Sequence, residues 1–214
     1  MPDQSRGIHL EKAVGQKYTI YIPHRYTQGE AVPLVLLLHW GGKKHRYIGR
    51  EILEQLGVPA LTELEAILVA PDRKRRHWAT PNAEKDMVRL LAYLDEHYRL
   101  QPGKRVLAGY SVGGVGVWYL ASQRPDLFSC GVVMAAPPPE HLLGGKWDFP
   151  LYTFYSELDE VVPFESTKEQ IEQLQQKGAP IRFVPVGMAS HADVRDYLHP
   201  FQQTIPWILE HLSS

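Results

Sequence analysis

A serine stands between glycines in the stretch GYSVGG, residues 109–114, directly after a short apolar run. Gly109, Ser111 and Gly113 match the pattern G-x-S-x-G, in which a sharp strand-to-helix turn exposes a nucleophilic hydroxyl. Such a turn needs small neighbours, because the serine main chain is strained and the strand and helix approach closely. A helix-favouring segment follows, so we interpret Ser111 as a nucleophile; the alternative interpretation is a flexible surface turn.

A serine hydroxyl attacks a carbonyl only when a base removes its proton, and the base needs an orienting acid. In enzymes with this type of turn, the acid and then the histidine follow the serine along the chain. The predicted strand LYTFYS leads into ELDEVVP, and the predicted strand IRFVPV leads into GMASHADV. Asp159 and His191 therefore follow strands in the required order, as the candidate acid and base.

Several other titratable residues compete for these two roles: Glu157, Glu160 and Asp193 for the acid, and His199 and His211 for the base. An acidic residue of the ELDEVVP loop could instead belong to a solvated turn, and Asp193 could cap the last helix. The two later histidines fall in helical segments, where we expect them to be structural or exposed. His39 and His77 precede Ser111, which is the wrong order for the base.

The tetrahedral intermediate of acyl transfer carries an oxyanion that needs preorganised N–H donors. The main-chain N–H of Val112, the residue after the serine, is the first candidate. The loop HWGG, residues 39–42, follows a predicted strand and supplies the second candidate, which is the N–H of Gly41 or of Trp40. A plain turn at the end of the strand is the alternative interpretation of this loop.

Strand-like and helix-like segments alternate along the chain. Seven apolar runs favour strands, and they lie at 18–22, 34–40, 66–71, 105–109, 130–136, 151–156 and 181–186. Helical patterns occupy 82–98, with Asn82 as a candidate cap, 164–178, 194–212 and, more weakly, 45–57. This alternation predicts a mostly parallel sheet with helices on both faces, and ligands bind such sheets beyond the carboxyl ends of the strands.

Four stretches resemble the α/β-hydrolase superfamily, and the resemblance spans about residues 17–210. YTIYIP with PLVLLLHWGG resembles the strands that lead into the oxyanion loop, and GYSVGG resembles the nucleophile elbow. SELDEVVP resembles the family pattern of an aspartate followed three residues later by Val-Pro, which selects Asp159, and ASHADV resembles the catalytic-histidine segment. The chain is similar to small serine esterases of the phospholipase/carboxylesterase, dienelactone hydrolase and polyhydroxybutyrate-depolymerase-like types. Trp40 stands where the family usually has glycine.

The resemblance implies an α/β-hydrolase fold with a minimal or absent cap, in one domain over residues 1–214 that begins with an irregular segment at 1–16. The candidate substrate contacts are Trp40, Tyr110, Trp78, Trp147 and Arg75. We expect Trp147, with Leu142 and Leu143, to form a wall of a shallow cleft. Arg75 belongs to the basic run at 73–76, which is either a solvated loop or a rim that attracts anionic esters.

Composition excludes several other classes of function. The 214 residues carry a net charge of −1, which favours neither nucleic acid nor an anionic membrane as partner. The longest apolar run, LVLLL, is too short to span a bilayer, residues 1–17 contain no apolar stretch of the length typical of a signal peptide, and the residues show no cofactor motif. Cys130 is the single cysteine, which we expect to be buried, and it fits a cytoplasmic protein without disulfides.

The sequence thus predicts a cofactor-free serine hydrolase that cleaves small or medium soluble carboxylic esters through Ser111, His191 and Asp159. Thioesterase, acyltransferase and peptidase activities would use the same side chains and stay open as alternatives. A non-catalytic module that binds a small ligand is a further alternative, although it would not need all three residues. Residue types do not reveal the oligomeric state.

Overall fold

The structure, a computed structural model, describes residues 2–42, 47–73, 77–187 and 190–213. Eight strands form one sheet: β1 Gly7–Ala13, β2 Gln16–Ile22, β3 Val32–Leu38, β4 Ile67–Pro71, β5 Leu100–Tyr110, β6 Cys130–Met134, β7 Leu151–Ser156 and β8 Ile181–Val186. Their spatial order is β1-β2-β4-β3-β5-β6-β7-β8. Strands β3 to β8 all run parallel to one another, whereas β1 is antiparallel to β2 and β2 is antiparallel to β4. The predicted mostly parallel sheet is confirmed.

The α-helices of the described residues are α1 His24–Thr27, α2 Ile48–Ile52, α3 Val58–Leu61, α4 Pro81–His97, α5 Val112–Gln123, α6 Phe164–Gln176, α7 Leu198–Gln202 and α8 Ile205–Ser213. A π-helical turn, Leu53–Gly57, joins α2 to α3. The weak helical pattern at 45–57 therefore corresponds to a compound helix. The pattern at 194–212 divides into a 3₁₀ turn, Val194–Tyr197, followed by α7 and α8. Pro200 and Pro206 lie in the first turns of α7 and α8, where a proline interrupts no helical hydrogen bond.

Both faces of the sheet are covered by helices. Along β3, Leu34, Leu36 and Leu38 enter the core cluster that also contains apolar residues of α4, α5 and α6. Val35 and Leu37 enter the cluster on the other face, which contains residues of α2, α3, α7 and α8. Successive side chains of a strand point to opposite faces, so a strand buried on both faces is apolar at every position. This arrangement explains the continuous apolar run.

The expectation of an irregular segment at 1–16 is wrong. Residues 7–13 form β1, which pairs antiparallel with β2 through a two-residue hairpin at Val14 and Gly15. Both turn residues have positive φ, 48° and 72°, as a type I′ turn requires. The face of β1 is only partly covered, so its sequence carries a weak apolar alternation. Its strand conformation depends on pairing with β2.

Helix α4 begins earlier than predicted, and its cap is not Asn82. Thr80 is the N-cap, because its side-chain oxygen accepts a hydrogen bond from the N–H of Ala83 at 3.2 Å. Pro81 occupies the first helical position, where its missing N–H costs nothing. The predicted apolar face of α4 is confirmed, since Met87, Leu90, Leu91 and Leu94 are buried.

Candidate active site

Ser111 lies in the sharp turn between β5 and α5, at the carboxyl end of a strand in the middle of the sheet. Its φ of 54° with ψ of −120° is a strained conformation for a residue with a side chain. A Cβ on Gly109 would lie 2.4 Å from the carbonyl oxygen of Gly113, and a Cβ on Gly113 would lie 2.0 Å from that of Leu38. Both positions therefore require glycine, and the tight turn leaves the Ser111 hydroxyl at the sheet edge.

His191 joins Ser111 to Asp159. Its Nε2 lies 2.9 Å from Ser111 Oγ, and its Nδ1 lies 2.8 Å from Asp159 Oδ2. An ionised carboxylate only accepts hydrogen bonds, so Nδ1 carries the proton and Nε2 is left to accept from the serine hydroxyl. Three residues from three loops, after β5, β7 and β8, thus form one continuous chain of hydrogen bonds.

The Asp159 carboxylate is fully buried beneath the imidazole. Its Oδ1 accepts hydrogen bonds from the main-chain N–H groups of Val161 and Val162, at 2.8 and 2.7 Å. These two donors compensate the ionised group for its loss of water. They also fix the carboxylate, so that Oδ2 faces the histidine ring.

The competing acidic residues take other positions. The exposed Glu160 accepts a hydrogen bond from the main-chain N–H of His191 at 3.2 Å. Asp193 caps the 3₁₀ turn that follows His191, by accepting from the N–H of Arg195 at 3.0 Å. No hydrogen bond joins Glu157 through its carboxylate to another described residue. Asp159 is thus the acidic residue in contact with the histidine ring.

The competing histidines lie away from Ser111. His211 Nδ1 is 2.9 Å from the carbonyl oxygen of Trp207, one turn earlier in α8. His199 Nε2 is 3.0 Å from the side-chain nitrogen of Gln203. These contacts within or beside their own helices agree with the structural roles expected for both residues.

Val112 and Gly41 line the same cleft as Ser111. Val112 is the first residue of α5, so its N–H has no acceptor within the helix. The two residues are close, since a Cβ on Gly41 would lie 3.1 Å from Val112 Cγ2. Neither N–H has an acceptor within the described part of the chain, and both are therefore available to a ligand.

His39 fixes the orientation of the loop that carries Gly41. Its Nδ1 donates to the carbonyl oxygen of Trp40 at 2.7 Å, and its Nε2 accepts from the N–H of Arg73 at 3.1 Å. In a trans peptide the C=O and the following N–H point in opposite directions. Because the Trp40 carbonyl faces the His39 ring, the N–H of Gly41 points away from that ring. The N–H of Gly41 therefore stays a candidate for the second oxyanion donor beside that of Trp40.

The cleft above Ser111 has a volume of about 1000 Å³. It is lined by Trp40, Gly41, Gly42, Gln55, Tyr110, Ser111, Val112 and the segment 191–195. The rings of Trp40 and Tyr110 pack edge to face, with centroids 6.3 Å apart. Between β6 and β7 the helical structure is a single 3₁₀ turn, Glu140–Leu142, which agrees with the minimal cap predicted from the sequence.

Two of the aromatic residues predicted to contact substrate lie elsewhere. Trp78 is buried beneath the oxyanion loop, where its Nε1–H donates to the carbonyl oxygen of His39 at 2.9 Å. Trp147 packs against Trp118, and it lines a separate cavity of about 590 Å³ together with Leu142 and Phe149.

The position of that separate cavity corrects the prediction of a pocket wall built from Trp147 and Leu142. It lies beside the end of α5 and the starts of β6 and β7, opposite the sheet edge of Ser111. The segment 136–150 crosses from the carboxyl end of one strand to the amino end of the next, so its second half leaves the catalytic edge. Leu143 is partly buried and packs against the core cluster that contains residues of α4, α5 and α6. Arg75 lies outside the described residues.

Other residues at the cleft were not selected from the sequence: Gln55, Ala192, Val194 and Arg195. Gln55 projects from the π-helical turn, a feature that is frequent at functional sites but has no clear sequence signature. The role of His39 was also missed. Its position as the first residue of the oxyanion loop is a signal that could have indicated it.

Three further features bear on function: groups of possible metal ligands, long apolar helices and the single cysteine. Among the described residues, no group of three His, Cys, Asp or Glu side chains could hold a metal ion. Within the same residues, no helix combines the length and apolar character that crossing a membrane requires. Cys130 is fully buried, as expected, and burial raises the pKa of its thiol to about 12.

Comparison with protein families matches residues 12–167 to the Esterase family, described as "Putative esterase". Among curated proteins, a probable feruloyl esterase C of Aspergillus flavus is 25% identical over 168 residues. That alignment covers 77% of this chain and 62% of the fungal protein. The chain thus spans about three fifths of the length of this curated relative.

Solved structures share the fold over nearly the whole chain. A ferulic acid esterase superposes with a TM-score of 0.74 at 16% identity, covering 95% of this chain and 97% of the other. A fluorophosphonate-binding serine hydrolase of Staphylococcus aureus superposes with a TM-score of 0.71 at 14% identity, covering 94% and 96%. At these identities the likeness concerns the fold, which is that of the α/β-hydrolase esterases.

Proposed function

Because the chain belongs to the Esterase family, we propose that it is a serine carboxylesterase that cleaves small or medium soluble esters through an acyl-enzyme. The observation that carries the proposal is the chain of hydrogen bonds from Ser111 through His191 to Asp159, at 2.9 and 2.8 Å. A non-catalytic ligand-binding module would have no use for a strained serine, an oriented imidazole and a buried carboxylate in contact.

In the proposed reaction His191 Nε2 takes the proton of Ser111 as Oγ attacks the ester carbonyl, and then gives it to the leaving alcohol. Asp159 keeps the proton of the ring on Nδ1 and stabilises the imidazolium that forms. Water then attacks the acyl-enzyme, with His191 again acting as base. The reaction needs no group beyond these side chains and water.

The oxyanion is assigned to the N–H groups of Val112 and Gly41. Both residues line the cleft, and neither N–H has an acceptor among the described residues. The position of Val112 at the start of α5 adds the positive end of the helix dipole. One such donor typically contributes about 10²–10³-fold to the rate of acyl transfer.

For the acyl group we propose that the enzyme accepts flat aromatic acids beside short aliphatic ones. The aromatic rings of Trp40 and Tyr110 line the cleft next to Ser111. Such rings offer stacking and edge-to-face contacts to an aromatic substrate. The curated relative named as a probable feruloyl esterase is consistent with this acyl group.

The test is a panel of substrates: p-nitrophenyl esters from acetate to decanoate, methyl ferulate, methyl benzoate, an acyl thioester and a peptide anilide. We expect hydrolysis of the esters, with methyl ferulate or a short p-nitrophenyl ester as the best substrate. Ser111→Ala should lower kcat by at least about 10³-fold. The matched control is Ser122→Ala, because the Ser122 hydroxyl bonds to the Tyr119 carbonyl oxygen away from the cleft.

The outcomes separate the alternatives. Preferred turnover of the thioester or the anilide would replace the carboxylesterase assignment by a thioesterase or peptidase on the same residues. Absence of turnover of every substrate, with unchanged binding of esters by Ser111→Ala, would replace it by a binding module. Equal activity of Ser111→Ala and the wild type would contradict the nucleophile.

A further inference from the structure

His191 is held by two side chains that take no part in the proposed proton transfers. We infer that Tyr110 and Glu160 are positioning residues, which hold the main chain of His191 by hydrogen bonds to its C=O and to its N–H. The inference rests on the proposed function, because it concerns the imidazole that serves as base. It adds a role for the hydroxyl of Tyr110, whose ring lines the cleft, and gives a role to Glu160, a rejected candidate for the triad acid.

Tyr110 holds the carbonyl side. Its hydroxyl donates a hydrogen bond to the main-chain oxygen of His191 at 2.6 Å, across 81 positions of sequence. The ring is buried and packs edge to face against Tyr197, with centroids 5.1 Å apart. Burial raises the pKa of the Tyr110 hydroxyl, so it remains a neutral donor at any pH at which the enzyme would work. The ring therefore presents its hydroxyl from a fixed position.

Glu160 holds the amide side. One carboxylate oxygen, Oε2, accepts from the main-chain N–H of His191 at 3.2 Å. The other, Oε1, accepts from the hydroxyl of Ser190 at 3.1 Å. The Ser190 oxygen in turn accepts from the N–H of Ala192 at 3.1 Å. The carboxylate thus ties three consecutive residues, 190–192, into one arrangement.

The position of His191 in the fold explains why such a grip is needed. It lies in the loop between β8, which is the outer strand of the sheet, and the 3₁₀ turn at Val194–Tyr197. No helix or strand of its own fixes the main chain there, and loops have more conformational freedom than the elements they connect. A displacement of about 1 Å at a catalytic group can cost on the order of 10²-fold in rate.

Each gripping residue is a chain neighbour of another member of the triad. Tyr110 directly precedes Ser111, and Glu160 directly follows Asp159. The turn that carries Ser111 therefore also carries the hydroxyl that binds the His191 carbonyl oxygen. The loop that carries Asp159 also carries the carboxylate that binds the His191 N–H. The two contacts together therefore limit how far the imidazole can shift from Ser111 Oγ and from Asp159 Oδ2.

The test compares kcat and KM of Tyr110→Phe and Glu160→Gln with the wild type, on a short p-nitrophenyl ester. Each change keeps the size of the side chain and removes the contact or weakens it. We expect kcat to fall about ten-fold in each variant while KM changes less than about two-fold, because the imidazole is misplaced but the cleft is intact. The rate of fluorophosphonate labelling of Ser111 should fall in parallel, since the same base serves both reactions.

Two matched controls distinguish positioning from a general loss of structure. Glu157→Gln removes a charge from the same loop, and Tyr119→Phe removes a tyrosine hydroxyl that lies 3.5 Å from Glu84, away from the cleft. Both controls should keep the kcat and labelling rate of the wild type. Melting temperatures of all four variants check that each is folded under assay conditions. The exposed position of Glu160 keeps the test usable even if Tyr110→Phe is unstable.

The double variant Tyr110→Phe/Glu160→Gln tests whether the two contacts serve one loop. If loss of either contact releases His191, the second loss adds less than the first, so kcat should fall well short of the hundred-fold expected from independent effects. Wild-type kcat in folded Tyr110→Phe and Glu160→Gln would overturn the inference. A rise in KM with unchanged kcat would overturn it as well, because the residues would then contact substrate. Lack of Ser111-dependent activity in the wild type would instead refute the proposed function.

Discussion

Gly113 lies directly against the main-chain carbonyl of Leu38, so that a Cβ on Gly113 would be only 2.0 Å from the carbonyl oxygen. The first turn of α5 thus rests on the carboxyl end of β3. Because the oxyanion loop starts at the next residue, His39, this contact brings the loop beside the turn that carries Ser111. Two segments more than 70 residues apart in the sequence can approach this closely because residue 113 is a glycine.

We predict that Gly113→Ala destabilises the protein and lowers activity. The added methyl group overlaps main-chain atoms that cannot rotate away, and overpacking of this kind costs about 1–3 kcal/mol or more. For a chain of this size, each kcal/mol corresponds to roughly 2–4 °C in Tm. Gly144→Ala is the matched control, because a Cβ there meets no atom within 4 Å. Thermal unfolding measures the Tm of both variants. Equal Tm values would contradict the packing argument.

Replacing Asp159 by Asn should lower kcat by about 10⁴-fold with little change in fold. The amide can donate to Nδ1, which favours the tautomer with the proton on Nε2, where it cannot accept from Ser111. Glu157→Gln is the control, and it should retain activity because its carboxylate does not contact His191. Steady-state kinetics on a short ester measures both. Equal losses in the two variants would mean that loop charge, rather than the histidine contact, is responsible.

The single cysteine should be unreactive in the folded protein. Cys130 is fully buried in β6, and burial raises the pKa of its thiol to about 12, so the reactive thiolate is scarce near pH 8. We expect iodoacetamide to leave the native protein unmodified and to add one group per chain after unfolding in urea, as read by intact mass. Rapid modification of the native protein would show that β6 is accessible.

The contact between Glu160 and the His191 loop should give a pH-dependent contribution to stability. Hydrogen bonds from main-chain N–H groups, its own and that of His191, lower the pKa of the Glu160 carboxylate from its ordinary value of 4.5. A lowered pKa in the folded state means that the stabilisation is complete above pH 4.5 and is lost as the pH falls through the lowered value.

The measurement is the Tm of the wild type and of Glu160→Gln between pH 7 and pH 3. The difference between the two should be constant from pH 7 to about 4.5 and should then shrink, because protonation removes the charge that the variant lacks. A difference that persists unchanged to pH 3 would show that the carboxylate charge contributes nothing to holding the loop.

Much of the site can be predicted from the sequence because its residues follow strands. Parallel strands end at the same edge of a sheet, so Ser111, Asp159 and His191 had to reach one side once their strands were identified. The strand order cannot be read this way, since which strands pair depends on packing between distant residues. The hairpin strand β1 was missed for a related reason, because its partial burial leaves a weak apolar alternation.

The predictions of substrate contacts were less accurate because they depend on where loop segments pass. Trp78 and Trp147 are large aromatic residues near predicted strand ends, and in the structure both are buried away from the cleft. Residue type shows that such a ring needs burial, but not which surface buries it. Gln55 reaches the cleft from a π-helical turn that no local pattern indicated.

The most direct test of the central claim is covalent labelling of the folded protein by a fluorophosphonate, with the modified residue identified by peptide mass spectrometry. If the imidazole of His191 activates the hydroxyl of Ser111, one phosphonyl group per chain should be found on Ser111, and esterase activity should disappear in proportion. His191→Ala should label at least about 10³-fold more slowly. Labelling at another residue, or equal labelling of wild type and His191→Ala, would contradict the account.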